Sequence, residues 1–333
     1  MRGRPFWCVE LAVLATESLG VRGLCCLVRA GNRCILIDPG VALGYFRNGL
    51  LPHPCQVAIG DAVRDRIISA FSEATGIVIS HYHGDHIPLA DANPYQLPLD
   101  RVPPLEGAGL WCKGPSGISS RSLKRREDLI RHMDLDPVNA EQIEGADLCF
   151  SGPVPHGPPQ SRLGTVMMTC IREEDYSFVH ASDIQLLNRE AVDRIIEWKP
   201  DIVIASGPPL YLQQISKRER AFAWKNAVEL AGSAGTLILD HHLLRSYEGF
   251  RWLERLSAET GGNVISAADL MGMKTNILEA GREELYDEIP VPEGWHEGYA
   301  RGETGFWDFV DTDGEKEMKQ IRSQKTIDVG TLL

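Results

Sequence analysis

Ser80-His81-Tyr82-His83-Gly84-Asp85-His86 follows directly on the apolar run Ile77-Val78-Ile79 and places three of the chain's ten histidines within six residues. Three histidines and an aspartate so placed would recur by chance in roughly one chain in a thousand or fewer, so the stretch reads as a motif. Extended residues alternate faces, so His81 and His83 point the same way and can hold one metal ion. Gly84 permits the sharp turn that brings Asp85 and His86 toward a second. Imidazole together with carboxylate suits zinc, with iron and manganese as the alternatives.

One loop cannot supply a whole coordination shell, so partners are sought among lone His and Asp residues just beyond other apolar strands. Three positions qualify. His156 follows an apolar run at 148–151, within Ser151-Gly-Pro-Val-Pro-His-Gly-Pro-Pro; Asp183 follows Phe178-Val179-His180-Ala181-Ser182; His241 follows Leu237-Ile238-Leu239-Asp240. Polar residues end many ordinary strands. The histidine cluster is what turns these three toward ligation.

Working outward, apolar runs at 9–14, 24–28 and 34–37 between Gly/Asn/Arg turns predict antiparallel opening strands. Val63, Ile67, Ile68 and Phe71 recur with helical spacing and predict a helix that ends near Gly76 and feeds the strand at 77–80. Residues 88–115, rich in Pro and Gly, read as loop with one short strand at 110–113. The segment 119–132 reads as a basic helix with Arg121, Lys124, Arg125, Arg126 and Arg131. A solvated face is its plain reading and an anion-binding arm over the site its sharper one. Strands at 148–151, 165–171, 177–180, 202–205 and 236–239 follow, with helices around 192–196, 222–230 and 252–256. Antiparallel strands followed by alternating helices and strands suit two sheets with helices on their outer faces. Residues 291–333, with Trp295, Phe306, Trp307 and the acidic run Asp308, Asp311, Asp313, Glu315 and Glu317, are expected as an extension to a domain spanning 1–290. Its aromatics could dock on the body, cover the site or mediate a homodimer.

Taken in order, Asp38 in Leu36-Ile37-Asp38-Pro39-Gly40, then His81-x-His83-x-Asp85-His86, His156, Asp183 and His241 resemble the five motifs of the metallo-β-lactamase superfamily, over roughly residues 7 to 290. The stretches Glu17-Ser18-Leu19-Gly20-Val21-Arg22, Asp38-Pro39-Gly40-Val41-Ala42-Leu43, Pro52-His53-Pro54, Ser206-Gly207-Pro208-Pro209 and Asp240-His241-His242-Leu243-Leu244-Arg245 are similar to a prokaryotic branch of that superfamily, predicted metal-dependent hydrolases. The resemblance implies an α/β fold, the four-layer αββα sandwich, with a dinuclear site at one edge of its two sheets. It implies that His81, His83 and His156 bind the first metal, that Asp85, His86 and His241 bind the second, and that Asp183 bridges them. Asp38 would orient the histidine loop as a hydrogen-bond acceptor. Two adjacent histidines close the last motif; His241 is favoured as the ligand because it follows Asp240 directly, with His242 behind it or facing substrate.

Hydrolysis by a hydroxide shared between two zinc ions is the expected chemistry. Asp85 would hold that nucleophile and pass on its proton, while His242, Arg22 or Arg245 would stabilise a developing oxyanion. A surface ion pair is the plain reading of both arginines. His86 and the absence of a cysteine ligand argue against the true β-lactamases, and His83 argues against the flavo-diiron branch. A phosphodiester is the favoured substrate, since Arg22, Arg245 and the 124–126 cluster would supply anion contacts. Thioester or lactone hydrolysis is the alternative, as is an iron oxygenase using the first-site histidines and Asp183 on one metal. No GxSxG, HExxH or GxxxxGK[ST] competes.

Composition bounds the rest. The chain has 333 residues, 43% of them hydrophobic, which excludes a disordered or fibrous protein. A net charge of −12 disfavours coating a long nucleic acid through bulk electrostatics, although a local basic patch could still steer an anionic substrate; on the site's arginines a small anionic molecule is the expected partner, with nucleic acid left open. Eight scattered cysteines without a CxxC pair read as buried thiols in a reducing compartment. Arg2 and Arg4 precede an apolar stretch at 6–15, but Glu10 interrupts it and no small-residue cleavage site follows. With no apolar run long enough to cross a membrane, a cytoplasmic protein is expected.

Overall fold

The computed structural model describes residues 9–331, so Arg2, Arg4 and Cys8 lie outside the described residues. In β1 (Glu10–Ala15) Leu11 and Val13 point one way, Ala12 and Leu14 the other, and all four are buried. β2 (Cys25–Ala30) and β3 (Arg33–Ile37) continue the pattern, Ile35 and Ile37 joining Leu11 and Val13 while Leu36 joins Ala12. A sheet buried on both faces needs cover on both. The outer cover is α1 (Pro54–Phe71), which starts earlier than its apolar spacing suggests. His53 and Gln56 form a reciprocal cap there, and Pro54 sits in the first turn, where it needs no N–H partner. β4 (Gly76–Ile79), β5 (Gly109–Cys112), α2 (Ser120–Met133) and β6 (Pro137–Asn139) complete this half.

β7 (Leu148–Phe150) opens the second half. The run expected as one strand at 165–171 is split: β8 (Val154–Pro155) and β9 (Thr165–Val166) form a small hairpin, and β10 (Thr169–Glu173) pairs with β7. The break falls where Met167 donates its N–H to the Ser80 carbonyl (2.9 Å), beside the histidine loop of the other sheet. β11 (Tyr176–His180), α3 (Arg189–Trp198), β12 (Ile202–Ala205), α4 (Lys217–Ala231), β13 (Thr236–Leu239), α5 (Tyr247–Glu259) and β14 (Val264–Ile265) follow. Four short helices, α6 (Ala267–Met271), α7 (Arg282–Glu288), α8 (Trp295–Ala300) and α9 (Thr312–Arg322), then lead to β15 (Ile327–Asp328).

The sheets run β15-β1-β2-β3-β4-β5-β6 and β14-β13-β12-β11-β10-β7. Alternating strand residues build three apolar layers: first sheet against α1, α2 and α9; sheet against sheet; second sheet against α3, α4 and α5. This is the four-layer αββα sandwich. His180 crosses the middle layer, its Nε2 lying 2.8 Å from the Leu24 carbonyl oxygen. β3 pairs in parallel with β4, and β11, β12 and β13 are parallel to one another, so the residues beyond them gather at carboxyl ends, where such sheets carry their sites.

Residues 291–331 are built into the same body. Trp295 and Phe306 are buried with α1, Arg322 reaches Asp61 and Asp65 (3.0 Å each), and Gln324 donates to the Val13 carbonyl (2.7 Å). β15 then pairs with β1, Leu11 opposite Ile327. Trp307 stays exposed. Among the described residues no helix is long and apolar enough to cross a membrane. If α9 belongs to the cooperative unit, Ile321→Ala, at a site 2% exposed, should lower the unfolding free energy by about 2–5 kcal/mol. The denaturant midpoint reads this, and an unchanged midpoint would show that α9 is a separate appendage.

Candidate metal centre

The site begins with Asp38, just past β3, whose backbone adopts φ 47° and whose N–H is held by the Val78 carbonyl (2.9 Å). Its carboxylate accepts from the Ser80 N–H (2.8 Å) and lies 3.0 Å from His86 Nδ1. Ser80 Oγ in turn lies 2.9 Å from His81 Nδ1. With the Nδ1 atoms engaged, the Nε2 atoms are left to face inward. Gly40 makes this arrangement fit: a Cβ there would lie 2.1 Å from the Ile87 nitrogen, so only glycine lets the Asp38-Pro39-Gly40 turn press against the histidine loop.

Across the cleft between the sheets, β11 delivers Asp183, fully buried beside Ser182, which turns through φ 54°. Asp183 Oδ2 lies 2.9 Å from His156 Nε2, 3.3 Å from His86 Nε2 and 3.6 Å from both His81 Nε2 and His242 Nε2, while Oδ1 lies 3.8 Å from His241 Nε2. Ligand atoms of His81, His83, His156 and Asp183 sit within 4.8 Å of one another, as do those of Asp85, His86 and His241. Among the described residues, the Nε2 atoms of His81, His86 and His156 and Oδ1 of Asp183 are buried without a hydrogen-bond partner. Orphaned imidazole nitrogens around a shared carboxylate fit divalent cations of the zinc class.

Burial and the neighbouring imidazoles of His86 and His83 push His81 well below the ordinary histidine range, and burial with His156 brings His83 to about 4. Both are therefore neutral and able to ligate. Burial favours a protonated Asp183, yet His86, His242 and His241 hold it well below the usual carboxylate range. Burial opposes charge on His86 too, but Asp183 and Asp38 raise it well above its ordinary value. A proton thus lies on His86 where a cation would replace it.

The two adjacent histidines separate. His241, at φ 37°, lies on the Asp85 side, its Nε2 3.5 Å from Asp85 Oδ2. His242 lies on the His156 side, their rings 5.4 Å apart. Gln185 joins these last two, its amide 3.5 Å from His156 Nδ1 and 3.3 Å from His242 Nδ1. Nothing in the local sequence marks Gln185. Asp240 is likewise more than a strand end: its carboxylate accepts from Thr16 Oγ1, the Ser18 N–H and the His241 N–H (2.9 Å each) and from the Ala267 N–H (3.0 Å).

The two arginines are paired rather than free. Arg22 clamps Glu279 through Nε (2.6 Å) and Nη2 (2.5 Å), and Arg245 donates through Nε to Glu17 (2.7 Å). The basic cluster of α2 divides. Lys124 pairs with Asp128 (2.7 Å), Arg126 donates to Asn139 (2.7 Å), and Arg125 donates to the Tyr82 carbonyl (3.1 Å). A cleft of about 390 Å³ opens beside it, lined by His81, Tyr82, His83, Ser119, Ser122 and Arg162 among others.

No protein-family model matches the chain. A UPF0282 protein of Methanosarcina mazei is 50% identical over 302 residues, covering 91% of this chain and 100% of that protein. One of Pyrococcus horikoshii is 34% identical over 302 residues, covering 86% and 97%. Among solved structures, a metal-dependent hydrolase of the β-lactamase superfamily is similar at a TM-score of 0.45 and 14% identity, covering 77% of this chain and 94% of its own.

Asp38→Asn keeps the side-chain shape and tolerates the left-handed backbone, but loses one acceptor. Metal affinity, read by competition with a chromophoric chelator, should fall about 10–100-fold. Unaltered affinity would show that Asp38 does not orient the loop.

Proposed function

This chain belongs to the UPF0282 family, and we propose that it is a metal-dependent hydrolase with a dinuclear centre, zinc first among the candidate metals and iron or manganese the alternatives, acting on a small anionic substrate such as a phosphodiester. The observation that carries this reading is the buried carboxylate of Asp183 shared between two clusters of inward-facing imidazoles. His81, His83 and His156 would hold one cation and Asp85, His86 and His241 the other. Such cations, when bound, lower the pKa of water and neutralise charge on attacked and leaving oxygens.

The chain's own groups divide the remaining work. Burial would raise Asp85, but His86 and Arg245 bring it down to about 2, so its carboxylate stays ionised and can hold a proton of the attacking water. His242, 6% exposed, is placed to donate to a developing oxyanion or a leaving oxygen. Arg125 and Arg162, beside the first cluster, supply charge of the sign a phosphodiester needs. Their position favours a phosphodiester over a neutral ester or lactone.

The test is hydrolysis of bis(4-nitrophenyl) phosphate by chelator-stripped protein reloaded with zinc. Activity should return with the metal and be absent in His81→Ala. Fully metallated protein that leaves this substrate intact would overturn the phosphodiester assignment and direct the search to thioesters and lactones. Arg125→Ala should raise KM for an anionic substrate about tenfold, on the scale of one charge-assisted contact, with metal content unchanged. Lys124→Ala, whose target pairs with Asp128 at the surface, should leave KM where it was.

A further inference from the structure

Asp183 faces both clusters, but their surroundings differ in charge. Beside His81 and His83 stand Arg125, engaged with a backbone carbonyl, and Arg162, exposed on the rim of the cleft. At the other cluster stands the guanidinium of Arg245, its Nη2 3.3 Å from Asp85 Oδ2, 2.8 Å from His241 Nε2 and 3.2 Å from His241 Nδ1. One nitrogen so close to both ring nitrogens lies over the imidazole, not along either lone pair. The ring can still ligate, but beside a cation.

That cation is fixed. Arg245 is 6% exposed; its Nε donates to Glu17, itself 1% exposed, and its Nη1 approaches the Tyr211 hydroxyl (3.4 Å). Arg47 holds the Arg245 carbonyl (2.8 Å), so the backbone is anchored as well. Glu17 is flanked by Arg22 (4.0 Å), which is clamped by Glu279. Thus Asp85, Glu17 and Glu279 are already opposed by two guanidinium groups before any metal binds at this end.

Resting on the reading of the pit as a dinuclear centre, we propose that the two metal positions are unequal, and that Arg245 makes the one formed by Asp85, His86 and His241 the weak one. Two effects act together. The guanidinium repels a second cation across a few ångströms of buried space, and it draws on the same Asp85 oxygen that the cation would use. At low metal the chain then holds one ion, at His81, His83, His156 and Asp183, with Arg245 as the second positive charge of the pit. The second ion enters only at higher metal concentration.

The experiment titrates chelator-stripped protein with Zn2+ against a chromophoric competitor, with Co2+ absorption as an independent readout. Wild-type protein should bind its first ion about a hundredfold or more tighter than its second. Arg245→Met, which keeps length and removes charge, should tighten the second about tenfold or more while leaving the first within about threefold. Arg245→Lys keeps the charge and should retain most of the gap. Two equally tight ions in wild-type protein, or an unchanged second constant in a folded Arg245→Met, would overturn the proposal; the wild-type result decides even if both variants misfold. Binding of no ion at all would overturn the dinuclear reading itself, a different outcome.

Discussion

A carboxylate buried among five imidazoles is the constraint on which this molecule turns. Asp183 sits between the sheets within 4 Å of His81, His86, His156, His241 and His242, and several of the facing atoms have no hydrogen-bond partner among the described residues. Removing such groups from water costs several kcal/mol apiece unless charge is supplied to match them. The fold accepts the arrangement because each member is held from behind: His86 by Asp38, His81 by Ser80, His156 and His242 by Gln185, the backbone of His241 by Asp240. A set held in this way does not collapse to satisfy itself. It stays arranged for a ligand that brings positive charge.

The sandwich explains how so many chain segments reach one place. Each sheet contributes ligands from the carboxyl ends of its parallel strands, so the pit lies across the seam between the halves. Tight contacts are then required at turns. A Cβ at Gly23 would meet the Asp85 carbonyl oxygen at 2.9 Å and that of Gly40 at 3.0 Å, which ties the turn before β2 to the shape of the histidine loop. The Gly23 N–H also donates to His241 Nδ1 (3.2 Å), joining the first sheet directly to a residue of the second. Small shifts between sheets would therefore be felt at the site, and the His180 contact to Leu24 through the middle layer resists them.

Much of this could be read from sequence because it is local. Three histidines and an aspartate in six residues, a glycine at the turn and apolar strands ending in His or Asp are short-range patterns, and strands β12 and β13 fall at the expected residues. What escaped depends on distance along the chain. Arg22 and Arg245 read as oxyanion contacts or as surface ion pairs, and which partners they take shows only when the fold brings up Glu279 and Glu17, 257 and 228 residues away. Gln185 has no local signature, since its role exists only where His156 and His242 converge. The two-residue strands β14 and β15 are too short to show alternation, and the polar helices α7 and α9 too sparsely apolar to show a clear stripe. The split at 165–171 reflects a change of partner, invisible in an apolar run.

The pairing of β15 with β1 also bears on how the protein is made. β1 is the first described strand to leave the ribosome, and its outer neighbour in the sheet is the last. Throughout synthesis of everything between them, one edge of the first sheet has none of the described strands to bond with, and such edges recruit other chains. Each nascent molecule therefore carries an open seam until residues 327–328 arrive to close it. Agents that shield exposed strand edges would matter most during that interval, and little once β15 has docked.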